Sequence, residues 1–192
     1  MNEKKVELIL GQRGSGKSYL ARHLIAKYTR YIIYDTLGEY NDLGIIIETL
    51  DEFKEIFLRI YQNDFRIIYQ PLNPAKDFDE ICDLIFECGE LTFLVEEIDK
   101  FCTPQSISDN FANVLQRGRH KNITLIGISQ RPFGINRLIT SQAKIIYSFI
   151  HREPNDINYL KDFIGEEAEK IKDLQQFNFL KWDNGKITIS KL

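Results

Sequence analysis

The octapeptide "GQRGSGKS", residues 11–18, limits the possible folds more than any other stretch of the chain. Gly11, four residues, Gly16, Lys17 and Ser18 match a phosphate-loop pattern that works only between a strand and a helix. Both flanks are present. "VELIL" (6–10) is a short apolar run, and "SYLARHLIAKY" (18–28) puts Leu20, Ala21, Leu24, Ile25 and Tyr28 on one helical face. Glycines allow successive backbone N–H groups to turn inward around a phosphate, and the following helix adds its positive dipole end. The pattern implies a nucleoside triphosphate ligand. Lys17 is expected to reach the β and γ phosphates and Ser18 Oγ to ligate Mg²⁺, with Gln12, Arg13, Gly14, Ser15 and Tyr19 completing the cradle. Arg13 has two readings, a phosphate or subunit contact and an ordinary solvated loop arginine.

Beyond this loop, apolar runs of strand length alternate with segments of helical period. "YIIY" (31–34), "FRIIYQ" (65–70), "LTFLV" (91–95), "ITLIGIS" (123–129) and "KIIYSFI" (144–150) read as strands. "DEFKEIFLRIY" (51–61), "DFDEICDLIFEC" (77–88), "SISDNFANVLQRGR" (106–119) and "DINYLKDFI" (156–164) read as helices. Near the end, Asn184-Gly185 between two alternating runs predicts a β-hairpin. Strands apolar throughout and separated by helices imply a mostly parallel sheet covered on both faces, an α/β fold in one domain spanning residues 1–192. Ligands in such sheets sit at the carboxyl ends of the strands.

Composition narrows the classes further. A net charge of −3 argues against a generally basic nucleic-acid binder, while leaving room for a local basic loop. Cys82, Cys88 and Cys102 cannot all pair within the chain, and no short Cys-x-x-Cys zinc pattern occurs, which fits a reducing cytoplasm. His23, His120 and His151 are scattered. The leading "MNEKKVELIL" is too charged for a signal peptide, and no run approaches the ~18 apolar residues of a membrane span. A cytoplasmic protein without a membrane span is expected.

The stretch "LTFLVEEIDK" (91–100) ends an apolar run in Glu96, Glu97 and Asp99. A phosphate-loop protein needs a second acidic strand end to hold its metal. In that alignment Glu96 faces Mg²⁺, through a metal-bound water, and Glu97 polarises the attacking water. Successive side chains on an extended strand point to opposite sides, which would separate the two tasks. Asp99 suits the start of the next turn, where acids favour a helix N-terminus.

Four motifs in order make the chain similar to the HerA/FtsK superfamily of ATP-driven DNA-pumping motors. They are "GQRGSGKS", "YDTLGEY" (34–40), "FLVEEIDKF" (93–101) and "RGRHKNITLIGISQRP" (117–132). The resemblance implies a RecA-like core in which the strand ending near Gln130 lies between the two strands that carry the phosphate loop and the acids. Gln130 would then sense the γ-phosphate. Glu96 stands where the superfamily has aspartate, and 192 residues leave no space for the extra domains of its cellular members. That size resembles the virus-encoded genome-packaging ATPases of the superfamily. The implied partners are double-stranded DNA, further copies of the chain in a pentameric or hexameric ring, and capsid-vertex or membrane proteins. The implied place is the host cytoplasm or the virion.

The resemblance also implies an arginine from a neighbouring subunit at each site. Arg119 and Arg117 lead, followed by Arg131, Arg137 and Arg152, although Arg117 and Arg119 also suit a helix C-terminal dipole. For DNA contact the candidate loops are "CTPQSIS" (102–108) and "PLNPAKD" (71–77), the latter with Lys76 as its only base. Two other readings compete with the motor. One is a Zot-like ATPase for phage assembly or secretion that does not pump DNA. The other is a small-molecule kinase, disfavoured because Glu97 suits water activation and no arginine-rich lid is visible.

Overall fold

The computed structural model describes residues 5–192. Residues 1–4, on which part of the leader reading rests, lie outside that range. The strands are β1 (Val6–Leu10), β2 (Arg30–Tyr34), β3 (Ile45–Ile47), β4 (Phe65–Tyr69), β5 (Thr92–Val95), β6 (Cys102–Thr103), β7 (Ser106–Ile107), β8 (Thr124–Ser129), β9 (Ala143–Ser148), β10 (Asn178–Asp183) and β11 (Lys186–Lys191). The α-helices are α1 (Lys17–Ile25), α2 (Leu50–Ile60), α3 (Pro74–Cys88), α4 (Asp109–Arg117), α5 (Arg137–Gln142) and α6 (Pro154–Ile164).

Among the described residues, nine strands form one sheet in the order β11-β10-β9-β1-β8-β5-β2-β4-β3. All neighbours pair in parallel except β10, which runs antiparallel to both β9 and β11. This is a RecA-like α/β fold. Strand β8 lies between β1 and β5, with Leu8 opposite Gly127 and Val95 opposite the same residue from the other side. That order places the ends of β1, β8 and β5 side by side at one rim.

Alternation along the strands divides the core into two layers. Val6, Leu8 and Leu10 join the cluster under α2 to α6, while Ile9 joins the cluster under α1. Helix α1 buries Leu20, Ala21, Leu24 and Ile25, four of the five residues its periodicity predicts, and ends at Ile25, so Tyr28 lies beyond it. Gly127 sits where a Cβ would stand 2.6 Å from Ile98 Cδ1, so its bareness lets the turn after β5 pack down on the central strand. The terminal hairpin turns at Asn184 (φ 49) and Gly185 (φ 88), as expected for two left-handed positions in an Asn-Gly turn.

Several local expectations change. Helix α3 begins at Pro74, so Lys76 lies on a helix and not in a loop. The 102–108 loop contains a two-strand hairpin, β6–β7. Helix α4 stops at Arg117, and Arg119 sits in a following 3₁₀ turn (Gly118–Lys121). Strand β5 ends at Val95, and Glu97 has a left-handed backbone (φ 49). The separation of Glu96 from Glu97 therefore comes from a turn, not from strand alternation.

Candidate active site

The loop from Gly11 to Gly16 is tied to the strands on both sides of β1. Gly11 N donates to Ser129 O and Gln12 N to Ile150 O, each at 3.2 Å. Gly14 (φ 74) and Gly16 (φ 112) take backbone angles that favour glycine, which turns the intervening amides. Lys17, buried at the start of α1, donates from Nζ to the Gln12 carbonyl at 3.1 Å. Burial lowers its pKa, against the opposing pull of Glu96, Glu39 and Asp99. Lys17 is thus a cation held in a partly dry place beside three carboxylates, where a bound polyanion gains most from it.

At the neighbouring rim, Glu96 is 3% exposed and bonds through its backbone N to Tyr34 O at 3.1 Å. Its carboxylate accepts a hydrogen bond from Tyr40 Oη. Burial raises the Glu96 pKa to about 7; the Tyr40 bond and Lys17 oppose the shift, while Glu39 and Asp35 add to it. Ser18 stands close enough to the Tyr40 hydroxyl to lower its pKa, so this hydroxyl lies between the helix-start hydroxyl and the buried carboxylate.

Tyr40 is brought there by the rest of "YDTLGEY". Asp35, itself buried, accepts from the backbone N–H of Leu37 (3.3 Å), Glu39 (3.1 Å) and Tyr40 (3.2 Å), and from Gln70 Nε2 at 3.1 Å. Gly38 supplies a left-handed angle (φ 71), and the loop folds back so that Tyr40 is fully buried. Arg22 on α1 locks the outside of the loop. It donates to Asp42 Oδ2 at 3.0 Å and Oδ1 at 2.8 Å and to the Glu39 carbonyl, and lies over the Tyr40 ring. Tyr40 was missed in the sequence, although the motif that carries it was visible.

Glu97 is held differently. Its carboxylate accepts from Thr36 Oγ1 at 2.9 Å and pairs with Lys100 Nζ at 2.5 Å. Gln130 follows β8 directly. Its flanks are fixed by Arg131 N donating to Ser129 Oγ at 3.0 Å and by the Arg131–Asp156 ion pair at 3.1 Å. Asp156, on α6, also accepts from Phe133 N at 3.2 Å. His151, 2% exposed, is buried just past β9 with Nε2 unpartnered. Burial, with Lys17 and Arg131 nearby, lowers its pKa to about 3.

Arg13, Gly14, Lys17, Ser18, Glu39, Glu96, Glu97 and Gln130 therefore line one open cleft of about 450 Å³. Comparison with known proteins bears on what such a cleft does. The chain is 24% identical over 172 residues to the DNA packaging ATPase P9 of Enterobacteria phage PRD1, spanning 88% of this chain and 74% of P9. Its fold matches the genome packaging NTPase B204 from Sulfolobus turreted icosahedral virus 2, in complex with ATP-gammaS. The TM-score is 0.81 at 26% identity, over 100% of this chain and 98% of B204. The chain is a homologue of viral DNA-packaging ATPases.

No protein-family model matches it. The N-terminal domain of zonular occludens toxin from Neisseria meningitidis shares the fold, with a TM-score of 0.60 at 15% identity, over 99% of this chain and 94% of that one.

In this packaging-ATPase homologue the two leading arginines stand apart from the cleft. Arg117 lies over the Phe86 ring, and Arg119 Nε donates to His120 Nε2 at 3.3 Å. Both precede β8, whereas the cleft is formed where β8 ends, so within one chain neither meets the phosphate loop. Arg137 pairs with Asp162 on α6, and Arg131 with Asp156. A second cleft, at the opposite strand ends, is lined by Lys5, Lys27, Lys144 and Lys181 around buried Glu7. Lys5–Glu7 and Lys181–Asp183 ion pairs offset part of its charge. Among the described residues no helix is long and apolar enough to cross a membrane.

Proposed function

We propose that this chain hydrolyses ATP to drive double-stranded DNA into a viral particle, as a single RecA-like domain working in a ring. The observation that carries the reading is the adjacency of three strand ends, β1, β8 and β5. It gathers Lys17, Gln130, Glu96 and Glu97 into one cleft in a chain homologous to packaging ATPases.

Among the described residues no cluster of three His, Cys, Asp or Glu side chains is built to hold a metal. The donors present are instead one hydroxyl, Ser18, and one carboxylate, Glu96, both beside the Tyr40 hydroxyl. That sparse, all-oxygen set fits Mg²⁺, which keeps several waters and shares its shell with substrate phosphates. When bound, Mg²⁺ neutralises charge on the β and γ phosphate oxygens. Ser18 would hold it directly and Glu96 through water.

The chain's own groups do the rest. The loop amides and Lys17 bind the triphosphate and hold the leaving β-phosphate charge. Glu97, once released from Lys100 and Thr36, orients the attacking water toward the γ-phosphate and accepts its hydrogen bond. Gln130 contacts the γ-phosphate and so distinguishes ATP from ADP. Arg119, or Arg117 beside it, enters from the neighbouring subunit, where an arginine finger contributes about 10³ to 10⁵ in rate. A net acidic chain remains compatible with DNA, because a few lysines or arginines per subunit are repeated around a ring.

The test is Mg²⁺-dependent ATPase activity with and without double-stranded DNA. Stimulation by DNA, lost in Lys17→Ala, is the expected result. Glu97→Gln should bind ATP and fail to turn it over. ATP turnover indifferent to DNA in an assembled ring would refute the motor and favour movement of protein. Phosphate transfer to a metabolite would refute both.

A further inference from the structure

The chemistry above leaves the C-terminal hairpin without a task, yet the segment that enters it touches the phosphate loop. Gln176 Nε2 donates to the Gly14 carbonyl at 3.2 Å. A Cβ added to Gly16 would stand 3.0 Å from Phe177 Cδ1 and 2.6 Å from Leu192 Cδ1. Leu192 N in turn donates to the Phe177 carbonyl at 3.0 Å. Between these restraints Phe177 has φ 66, a left-handed angle at which a bulky side chain is a genuine outlier. The residue nevertheless remains 43% exposed. Backbone strain that is not offset by burying the ring points to use of the exposed face, since such outliers gather at ligand sites. Tyr19, in the first turn of α1 directly after the loop, is a second exposed aromatic, at 66%.

The direction of the ligand follows from the sheet. Glu96, Glu97 and Gln130 all lie on the β8–β5 side of β1, so the γ end of a triphosphate points there. A triphosphate is a linear chain, and its nucleoside end must leave on the other side, toward β9 and β10. That is where the segment entering β10 carries Phe177.

We propose that Phe177, together with Tyr19, forms the platform on which the purine ring of the nucleotide stacks. The proposal rests on the triphosphate reading of the loop, and its test separates the two. Binding of ATP and of inorganic tripolyphosphate is measured by calorimetry in Mg²⁺ for the wild-type chain, Phe177→Ala, Phe177→Tyr, Tyr19→Ala and Lys17→Ala. Phe177→Ala should weaken ATP about tenfold, the scale of losing one base–aromatic stack, and leave tripolyphosphate within about twofold. Tyr19→Ala should act in the same sense, and Phe177→Tyr, which keeps the ring, should bind both ligands as the wild type does. Retained tripolyphosphate binding also shows that the Phe177→Ala loop is still folded. Equal loss of both ligands in Phe177→Ala, or unchanged ATP affinity, overturns the platform. If Lys17→Ala loses both ligands while Phe177→Ala keeps ATP, the platform alone is wrong. If Lys17→Ala binds ATP as the wild type does, the phosphate-loop reading has failed.

Discussion

His151 and Glu96 both feel Lys17, and burial shifts their pKa values in opposite directions, which makes their balance measurable. His151 is neutral in the fold, with its pKa lowered to about 3, whereas an unfolded chain gives it 6.5. As pH falls below 6.5 the unfolded state takes up a proton that the folded state refuses, so stability is lost on acidification. From pH 7 to pH 5 that loss is about 2 kcal/mol, near 1.4 kcal/mol per unit below the unfolded pKa. Glu96 works the other way. Its folded pKa is about 7 against 4.5 in the unfolded chain, so the folded state holds a proton that the unfolded one has released between those values. Acidifying from pH 7 to pH 5 therefore restores about 2 kcal/mol. The two nearly cancel in the wild-type chain.

Breaking either one exposes the other. Urea unfolding at pH 7 and pH 5, in EDTA and without nucleotide, should show His151→Leu gaining about 2 kcal/mol relative to the wild-type pH change. Glu96→Gln should lose about 2 kcal/mol on the same comparison. Each value is a difference across pH within one variant, so any packing change that does not depend on pH drops out. Parallel pH profiles in all three proteins would refute the assignment of these two groups as the opposed pair.

Two further outcomes test the cleft. Tyr40→Phe keeps the buried ring but removes the hydroxyl that bonds Glu96 and lies beside Ser18; it should raise the Mg²⁺ concentration needed for half-maximal ATPase by about 10- to 100-fold, as loss of an outer-shell partner does. An unchanged Mg²⁺ requirement would remove Tyr40 from the site. Arg119→Ala should lose turnover alone and regain it in mixed rings with Lys17→Ala, which supplies the arginine but not the nucleotide. Without that rescue, Arg119 does not act across the subunit boundary.

What the sequence revealed depended on how local each signal was. The phosphate loop was legible because glycine spacing, strand and helix all lie within about twenty residues, and each part constrains the others. The sheet order came from the resemblance, since no pattern in "ITLIGIS" says which strands it will join. Strand β3 escaped because three residues with two exposed isoleucines carry no usable period. Helix α5, six residues long, escaped for the same reason. The left-handed turn at Glu97 had no glycine or asparagine to announce it. Tyr40 and His151 were illegible for a different reason. Their surroundings come from residues dozens of positions away, Glu96 for one and Lys17 for the other.

Strand β8 has a mechanical consequence. It is laddered to β1 on one side and β5 on the other, so its backbone cannot shift without breaking two rows of hydrogen bonds at once. Past its tip the chain bends between Gln130 and Pro132, where Arg131 is latched to Asp156 on α6. The ion pair therefore ties the cleft end of β8 to α6, a helix that contributes nothing to the cleft lining.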